Sequence, residues 1–477
     1  MTNAKQIITM GNTFYKPVSF FEKCGFAAGD AACNMLFNPI TMFLSFFYTD
    51  IFGLAPGAVA SVFLIVRVID AIFDPLYGTY MDKKVTKYGR FRPWIVGCAI
   101  PFALSCMLMF YTPHFHYTAK VIYAFITYLL LSLLYSGVNM PYCSLGGVIS
   151  INSQERVSCQ QFRFMGAGMA SLFCTLTLLP LVAYFGHGNK QVGFFWVITV
   201  FAIISVIMFF FCAFATKERI VPQDHDDIKM SVMLKEAVKN DQWIVCMVAM
   251  FLDCIPSFVR GAALIYFGKY VMHMPDSQNT YLLALSVVSG IVGSYLTPFL
   301  TKHFDKVDVY KFTKCGAMLL TLGLYFVPIG NLPVFFVYFA VLSVIHQLGC
   351  PVLWTWIGDV DDYGAWKFGK RYSGICASGN LFMLKIALGV GGAIVGGVLA
   401  VSGYVADAPQ QTANAIQGIY ALMVWIPAVA YALTFFVVHK FYSLTAVRMA
   451  NIEKALFHTP HIMGDYNENV KIDIPAR

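Results

Sequence analysis

Twelve apolar stretches, each long enough to cross a lipid bilayer, constrain this chain more than any other feature. A spanning helix needs about 20 mostly apolar residues. Runs of that size lie near 25–48, 57–81, 94–113, 119–140, 163–185 and 193–215, and again near 243–268, 279–300, 309–329, 332–352, 373–401 and 414–439. A membrane β-barrel would show short alternating segments instead, so helices are expected. Composition agrees: 58% of the residues are hydrophobic and 12% charged, against roughly 25% charged in a soluble domain. The 13 Cys include no C-x-x-C pair and lie mostly inside apolar runs, so they read as reduced core thiols. Met1 to Lys23 contains no apolar core of a cleavable leader, and the first helix is expected to serve as the insertion signal.

The fold expected is an all-α membrane protein whose helices form two pseudo-symmetric six-helix bundles. The bundles cover 25–215 and 243–439. A terminal segment (1–24), a central loop (216–242) and a tail (440–477) make up the rest. Lys and Arg set the orientation. Twenty-five of them fall on the termini and on one set of connections, against Lys120, Lys190 and Lys269 on the other. Both ends are therefore expected in the cytoplasm of a bacterial inner membrane. The net charge of +8 is then a topology signal, and no nucleic-acid partner is expected. The halves echo each other: Pro75 and Asp82-Lys83 follow the second helix as Pro298 and Asp305-Lys306 follow the eighth. Pro141 ends the fourth run as Pro351 ends the tenth.

Ionisable residues at membrane depth cost several kcal/mol unless paired or solvated, and so point to function. Arg67, Asp70 and Asp74 share one stripe of the second helix through spacings of three and four. Two carboxylates one turn apart repel, and either a bound cation or a shared proton relieves them. That is what a coupling site requires, and one Arg cannot neutralise both acids. Asn34, Asn139, Arg163, Asn380 and Lys385 offer amides and cationic donors from several helices, as a central polar cavity for a sugar would need. Asp30, Asn38, Asp253, Arg260, His346 and Gln347 are further polar residues inside apolar runs. Two connections, Asp82 to Trp94 and Asp359 to Arg371, mix acids and bases. Asp82, Arg90, Asp359, Asp362 and Arg371, with Arg67, are candidates for ion-pair latches between transport states. No phosphate-binding loop, dinucleotide turn or metal-binding His pair is present, and no enzyme constellation is visible.

These residues resemble the glycoside–pentoside–hexuronide:cation symporters, the branch of the major facilitator superfamily that includes melibiose permease. The matching motifs are Tyr48-Thr49-Asp50, Arg67-x-x-Asp70-x-x-x-Asp74-Pro75, Gly89-Arg-Phe-Arg-Pro-Trp94, Asn139-Met-Pro-Tyr142, Asp359-Val-Asp-Asp-Tyr-Gly364 and Lys385 in a Gly-rich helix. Asn139 to Gly147 and Asn240-Asp-Gln-Trp243 look most like the bacterial pentoside or xyloside-type members. The resemblance implies alternating access about a site between the bundles. Its cation site falls on Asp70, Asp74 and Ser136, and its sugar contacts fall on Asn34, Asn139, Arg163, Asn380 and Lys385. Phe73 stands where melibiose-type members have a metal-ligating Asn, which favours H⁺ over Na⁺. Asn34 and Asn139 replace carboxylates of those members and leave a more positive pocket. The expected function is import of a glycoside such as a xyloside with H⁺ by a monomer without cofactors. A hexuronide or other anionic-sugar symporter, an uncoupled facilitator and a non-transporting sugar sensor are the alternatives.

Overall fold

The computed structural model describes residues 17–457 except 84, 85, 87, 221–229, 275 and 406–409. Lys5, Lys16, Lys84, Lys87, Lys229, Lys471 and Arg477 of the basic set lie outside the described residues. Twelve long helices follow one another: α1 (Phe20–Phe46), α2 (Pro56–Lys83), α3 (Arg92–Met109), α4 (Tyr117–Val148), α5 (Ser153–Gly186), α6 (Lys190–Ala215), α7 (Asp241–Tyr266), α8 (Asp276–Thr301), α9 (Lys306–Gly323), α10 (Leu332–Phe368), α11 (Ser373–Val401) and α12 (Ala413–Phe441). Among the described residues, nine helices combine the length and mean hydropathy of a membrane span. Outward positions of the long helices stay apolar, as at Leu64, Ile72, Leu104, Phe214 and Val337, because lipid covers them instead of water.

The two halves repeat one packing scheme. In the first, α1 packs on α5 and α6, and α3 on α4 and α6; in the second, α7 packs on α11 and α12, and α9 on α10 and α12. α1 and α7 both leave the membrane through a π-helical turn, Phe47–Ile51 and Phe267–Val271. The bundles meet where α2 packs on α11 and α8 on α5, an exchange of equivalent helices. This is the arrangement expected of two six-helix repeats.

Two expected boundaries move. Pro141 and Pro351 do not end their helices: α4 runs on to Val148 and α10 to Phe368. Proline inside a run reads as its end, whereas here each helix continues past it, through Gly146-Gly147 in α4 and through Asp359, Asp361 and Asp362 in α10. Arg163, placed at the start of the fifth run, therefore sits well inside α5, whose first residue is Ser153. Asp359 to Gly364 are helical, not part of a loop.

Side-chain caps define several helix starts. The Glu22 amide donates to Ser19 Oγ at 3.2 Å while the Ser19 amide donates to Glu22 Oε2 at 3.1 Å, a reciprocal capping box. Asn240 accepts from the Trp243 amide at 3.0 Å and donates to the Val360 carbonyl at 2.7 Å, tying the start of α7 to α10. In the central loop a short helix, Met230–Ala237, places Glu236 against Lys370 and Tyr372 at 2.9 and 2.5 Å. Those donors, Lys370 foremost, hold the Glu236 carboxyl below its ordinary value, so the tie persists at neutral pH and weakens as the medium turns acid.

Candidate functional site

Where the bundles face each other at mid-height, a cavity of about 470 Å³ opens between α1, α2, α4, α5, α7, α8, α10 and α11. That lies within the roughly 300–1,000 Å³ of small-molecule sites. Asn34, Asn139 and Arg163 line one side, and Arg67, Asp70 and Lys385 another. The cavity continues into a second space of about 530 Å³ along Phe37 to Leu44 of α1 and Lys385 to Gly389 of α11, toward the end away from the start of α1.

The carboxylates of α2 are brought together with a cation from the opposite bundle. Lys385 Nζ lies 2.8 Å from Asp70 Oδ2 and 2.6 Å from Asp74 Oδ2. It donates to Ser136 Oγ at 3.0 Å, and Ser136 Oγ in turn lies 3.2 Å from Asp70 Oδ1 and 2.9 Å from Asp74 Oδ1. A hydroxyl has one proton to give, so Ser136 satisfies one carboxylate at a time. Two acids thus share one ammonium and one hydroxyl, and both acids are buried. A proton added to either carboxylate leaves a one-to-one ion pair. Lys385, expected among the sugar contacts, is in the first place the counter-ion of this cluster. Arg67 lines the same cavity, away from the ion pairs at the ends of α2, α5 and α10.

The wall that carries Asn34, Asn139 and Arg163 is polar and aromatic. Arg163 Nε donates to Asp30 Oδ2 at 3.1 Å, and its guanidinium lies 4.2 Å from the centre of the Trp354 ring. That contact joins α5 to α10 and fixes an aromatic face beside the amides, the combination that sugar rings and hydroxyls require. Asn34 Nδ2 donates to the Asp30 carbonyl at 2.9 Å, leaving its amide oxygen toward the cavity it lines. Phe37 stacks on Tyr135 with ring centres 4.8 Å apart in the same wall. Asn380 departs from expectation. It is fully buried, donates to the Cys376 carbonyl at 2.9 Å and accepts from the Cys246 thiol at 3.3 Å, facing α7 and not the cavity. Its neighbours Leu381, Leu384, Lys385 and Leu388 carry the lining stripe of α11.

The end of the molecule where α1 begins, which carries most of the described basic residues of the connections, is closed by a six-charge latch. Arg156 at the start of α5 reaches Asp359 at 2.8 Å and Asp362 at 2.7 Å on α10. Lys306 pairs with Asp359, while Arg371 holds Asp361 at 3.1 Å and Asp362 at 2.6 Å. Asp82, at the end of α2, accepts from the Gly374 and Ile375 amides at 2.8 and 2.9 Å, an anion on the N-terminus of α11. Its ion pair with Arg90 is 3.5 Å long. Beside the latch, Gly147 of α4 and Gly358 of α10 touch backbone to backbone: a Cβ on Gly358 would lie 2.9 Å from Gly147 Cα. Sequence reading singled out Asp359, Asp362 and Arg371 but missed Arg156, Lys306 and Trp354. Their roles come from contacts across the bundles; a local signal existed only for Arg156, a lone cation between two apolar runs.

The family described as MFS/sugar transport protein matches residues 25–446. The chain belongs to this family. It is a transporter and not an enzyme, and the resemblance to the glycoside–pentoside–hexuronide:cation branch is borne out by its relatives. Among them, the inner membrane symporter YicJ of Escherichia coli is 37% identical over 92% of this chain and 95% of that protein. The putative glycoside/cation symporter YagG of Escherichia coli is 36% identical over 93% and 96%. The isoprimeverose transporter of Lactiplantibacillus pentosus is 33% identical over 87% of each. Among solved structures, the Major Facilitator Superfamily transporter FucP in the outward conformation superposes with a TM-score of 0.65 over 88% of this chain and 98% of its own, at 15% identity, a likeness of fold.

Proposed function

We propose that this MFS/sugar transport family member imports a glycoside of the xyloside class across a bacterial inner membrane, coupled to H⁺. The observation that carries the reading is the Asp70–Asp74–Ser136–Lys385 cluster on the wall of a polar, aromatic cavity between the bundles. Relatives named as glycoside/cation symporter and isoprimeverose transporter support the substrate class. The proton is favoured because Lys385 already supplies a cation between the acids, and because Phe73 stacks on Tyr77 where a metal ligand would be needed. The basic end faces the cytoplasm. The conformation is then outward-facing: its latch is shut and its cavity extends toward the opposite end. The protein works as a monomer.

The cycle follows from these groups. A proton entering from outside neutralises Asp70 or Asp74, sugar fills the cavity beside Asn34, Asn139 and Arg163, and joint occupancy favours closing outside over the open state. Opening of the latch releases both inward. In lightly buffered, de-energised cells, addition of a xyloside is expected to alkalinise the medium, with or without Na⁺. Sugar entry without any pH change would mean uncoupled transport; entry only with Na⁺ would place a metal ion at the acids.

The amides make unequal contributions. Asn139→Ala is expected to weaken sugar binding about tenfold, the loss of one buried hydrogen-bonding partner at roughly 1–3 kcal/mol. Asn380→Ala, at a position turned toward α7, is expected to change it by less than about twofold. Equilibrium binding to the purified protein distinguishes the two, and equal losses would return Asn380 to the sugar site.

A further inference from the structure

A smaller void of about 200 Å³ opens off the central cavity into the second bundle. Ser286, Gly290 and Gln347 line both spaces, so the two are contiguous. Beyond them the walls are Ser257, Arg260, Ser343 and His346, a polar set at membrane depth that the coupling and sugar contacts above do not use. At about 30 Å³ per water, the void has room for roughly six waters, or for one compact polar group of a ligand.

Its charge is unbalanced. Asp253, two turns before Arg260 on α7, is 2.6 Å from the fully buried Lys314 Nζ and is committed to it. Arg260 donates from Nη2 to Tyr431 Oη at 2.8 Å and lies over that ring, both neutral partners. Its Nη1 is buried without a hydrogen-bond partner, although the side chain is only 6% exposed. His346 shares the pattern: Nε2 pairs with Ser257 Oγ at 2.9 Å, and Nδ1 is buried and unpartnered. A desolvated guanidinium with no ion pair among the described residues, on the wall of a polar void, is a stored demand for an anion.

We propose that this void is a second subsite, in which Arg260 and His346 hold the carboxylate of an acidic unit attached to the sugar in the central cavity. The substrate class is then an acidic disaccharide or aryl glycoside, its neutral pentose beside Asn34 and Asn139 and its carboxylate reaching past Gln347 to Arg260. The inference rests on the sugar reading of the central cavity and sharpens it. The second bundle selects the distal unit, while the first selects the pentose.

The test measures equilibrium binding of methyl xyloside, a neutral xylose disaccharide and a glucuronosyl-xylose disaccharide to detergent-purified protein. Wild type is expected to prefer the acidic disaccharide over the neutral one by at least about tenfold. Arg260→Gln is expected to abolish that preference while leaving methyl xyloside binding within twofold. Should Arg260→Gln not fold, Ser343→Leu tests the same space by filling it; both disaccharides then lose about tenfold and methyl xyloside does not. A wild type that binds both disaccharides equally, a preference that survives Arg260→Gln, or disaccharides that tolerate Ser343→Leu overturns the subsite. A wild type that binds none of the three overturns the sugar reading of the central cavity, and the subsite with it.

Discussion

Asp74→Asn is expected to reduce the steady-state accumulation of sugar to the outside concentration while leaving exchange of labelled for unlabelled sugar running. The amide keeps the shape of the carboxylate and can still accept from Lys385, so the cavity survives. What it removes is the second acid of a pair that shares one ammonium at 2.6 and 2.8 Å. With one Asp and one Lys left, the pair is balanced without a proton, and nothing ties sugar movement to the proton gradient. Lys385→Ala tests the other half. It leaves two buried carboxylates facing each other without their cation, and breaking a buried pair costs about 3–5 kcal/mol. Uptake and exchange should therefore both fall by more than about 100-fold. Accumulation that persists in Asp74→Asn would move the coupling group elsewhere.

Arg156→Ala is expected to shift the resting protein toward the state open at the basic end. Arg156 bridges Asp359 and Asp362 with no exposed atom among the three side chains. Its loss leaves Asp359 with Lys306 alone and Asp362 with Arg371 alone, one cation each instead of two, at a cost of up to about 3–5 kcal/mol in the closed state only, because the open state hydrates them. A preference of that size inverts a population that rests mostly closed. Cys143, buried one turn beyond Asn139 toward the latch, reports the change. A membrane-impermeant maleimide applied from the basic side should modify it at least about tenfold faster in the variant, as read by mass spectrometry. Arg156→Lys, which keeps the charge but not the fork, should give a smaller increase. Unchanged labelling in Arg156→Ala would remove the ion pairs from control of the conformational equilibrium.

How far such groups could be read beforehand depends on whether they act within one helix or between two. Asp70 and Asp74 were legible because a spacing of four fixes a shared face whatever the fold. Asn34 and Asn139 were legible because amides inside apolar runs need partners. The ammonium that completes the carboxylate site was seen but assigned elsewhere, since only tertiary structure brings α11 against α2. Asn380 was grouped with Lys385 by proximity in sequence, yet five residues at about 100° each place them roughly 140° apart around the helix. The same geometry sets Leu381 and Lys385 on one stripe. The extensions of α4 and α10 beyond Pro141 and Pro351 escaped because a proline ahead of Gly146-Gly147 in one case and of Asp359 to Gly364 in the other looks like the end of a helix. Arg156 and Lys306 could not be paired with Asp359 without knowing that α5, α9 and α10 converge at one end.

The contact between Gly147 and Gly358 gives the closed end a mechanical character apart from its charges. Backbone atoms have no rotamers to yield, so once α4 and α10 meet there they can travel no further, and the stroke of the two bundles has a hard stop. The ion pairs then decide how long the molecule rests against that stop, not where the stop is. Side chains around the latch can thus tune the speed of the cycle from one protein to another while its amplitude stays the same.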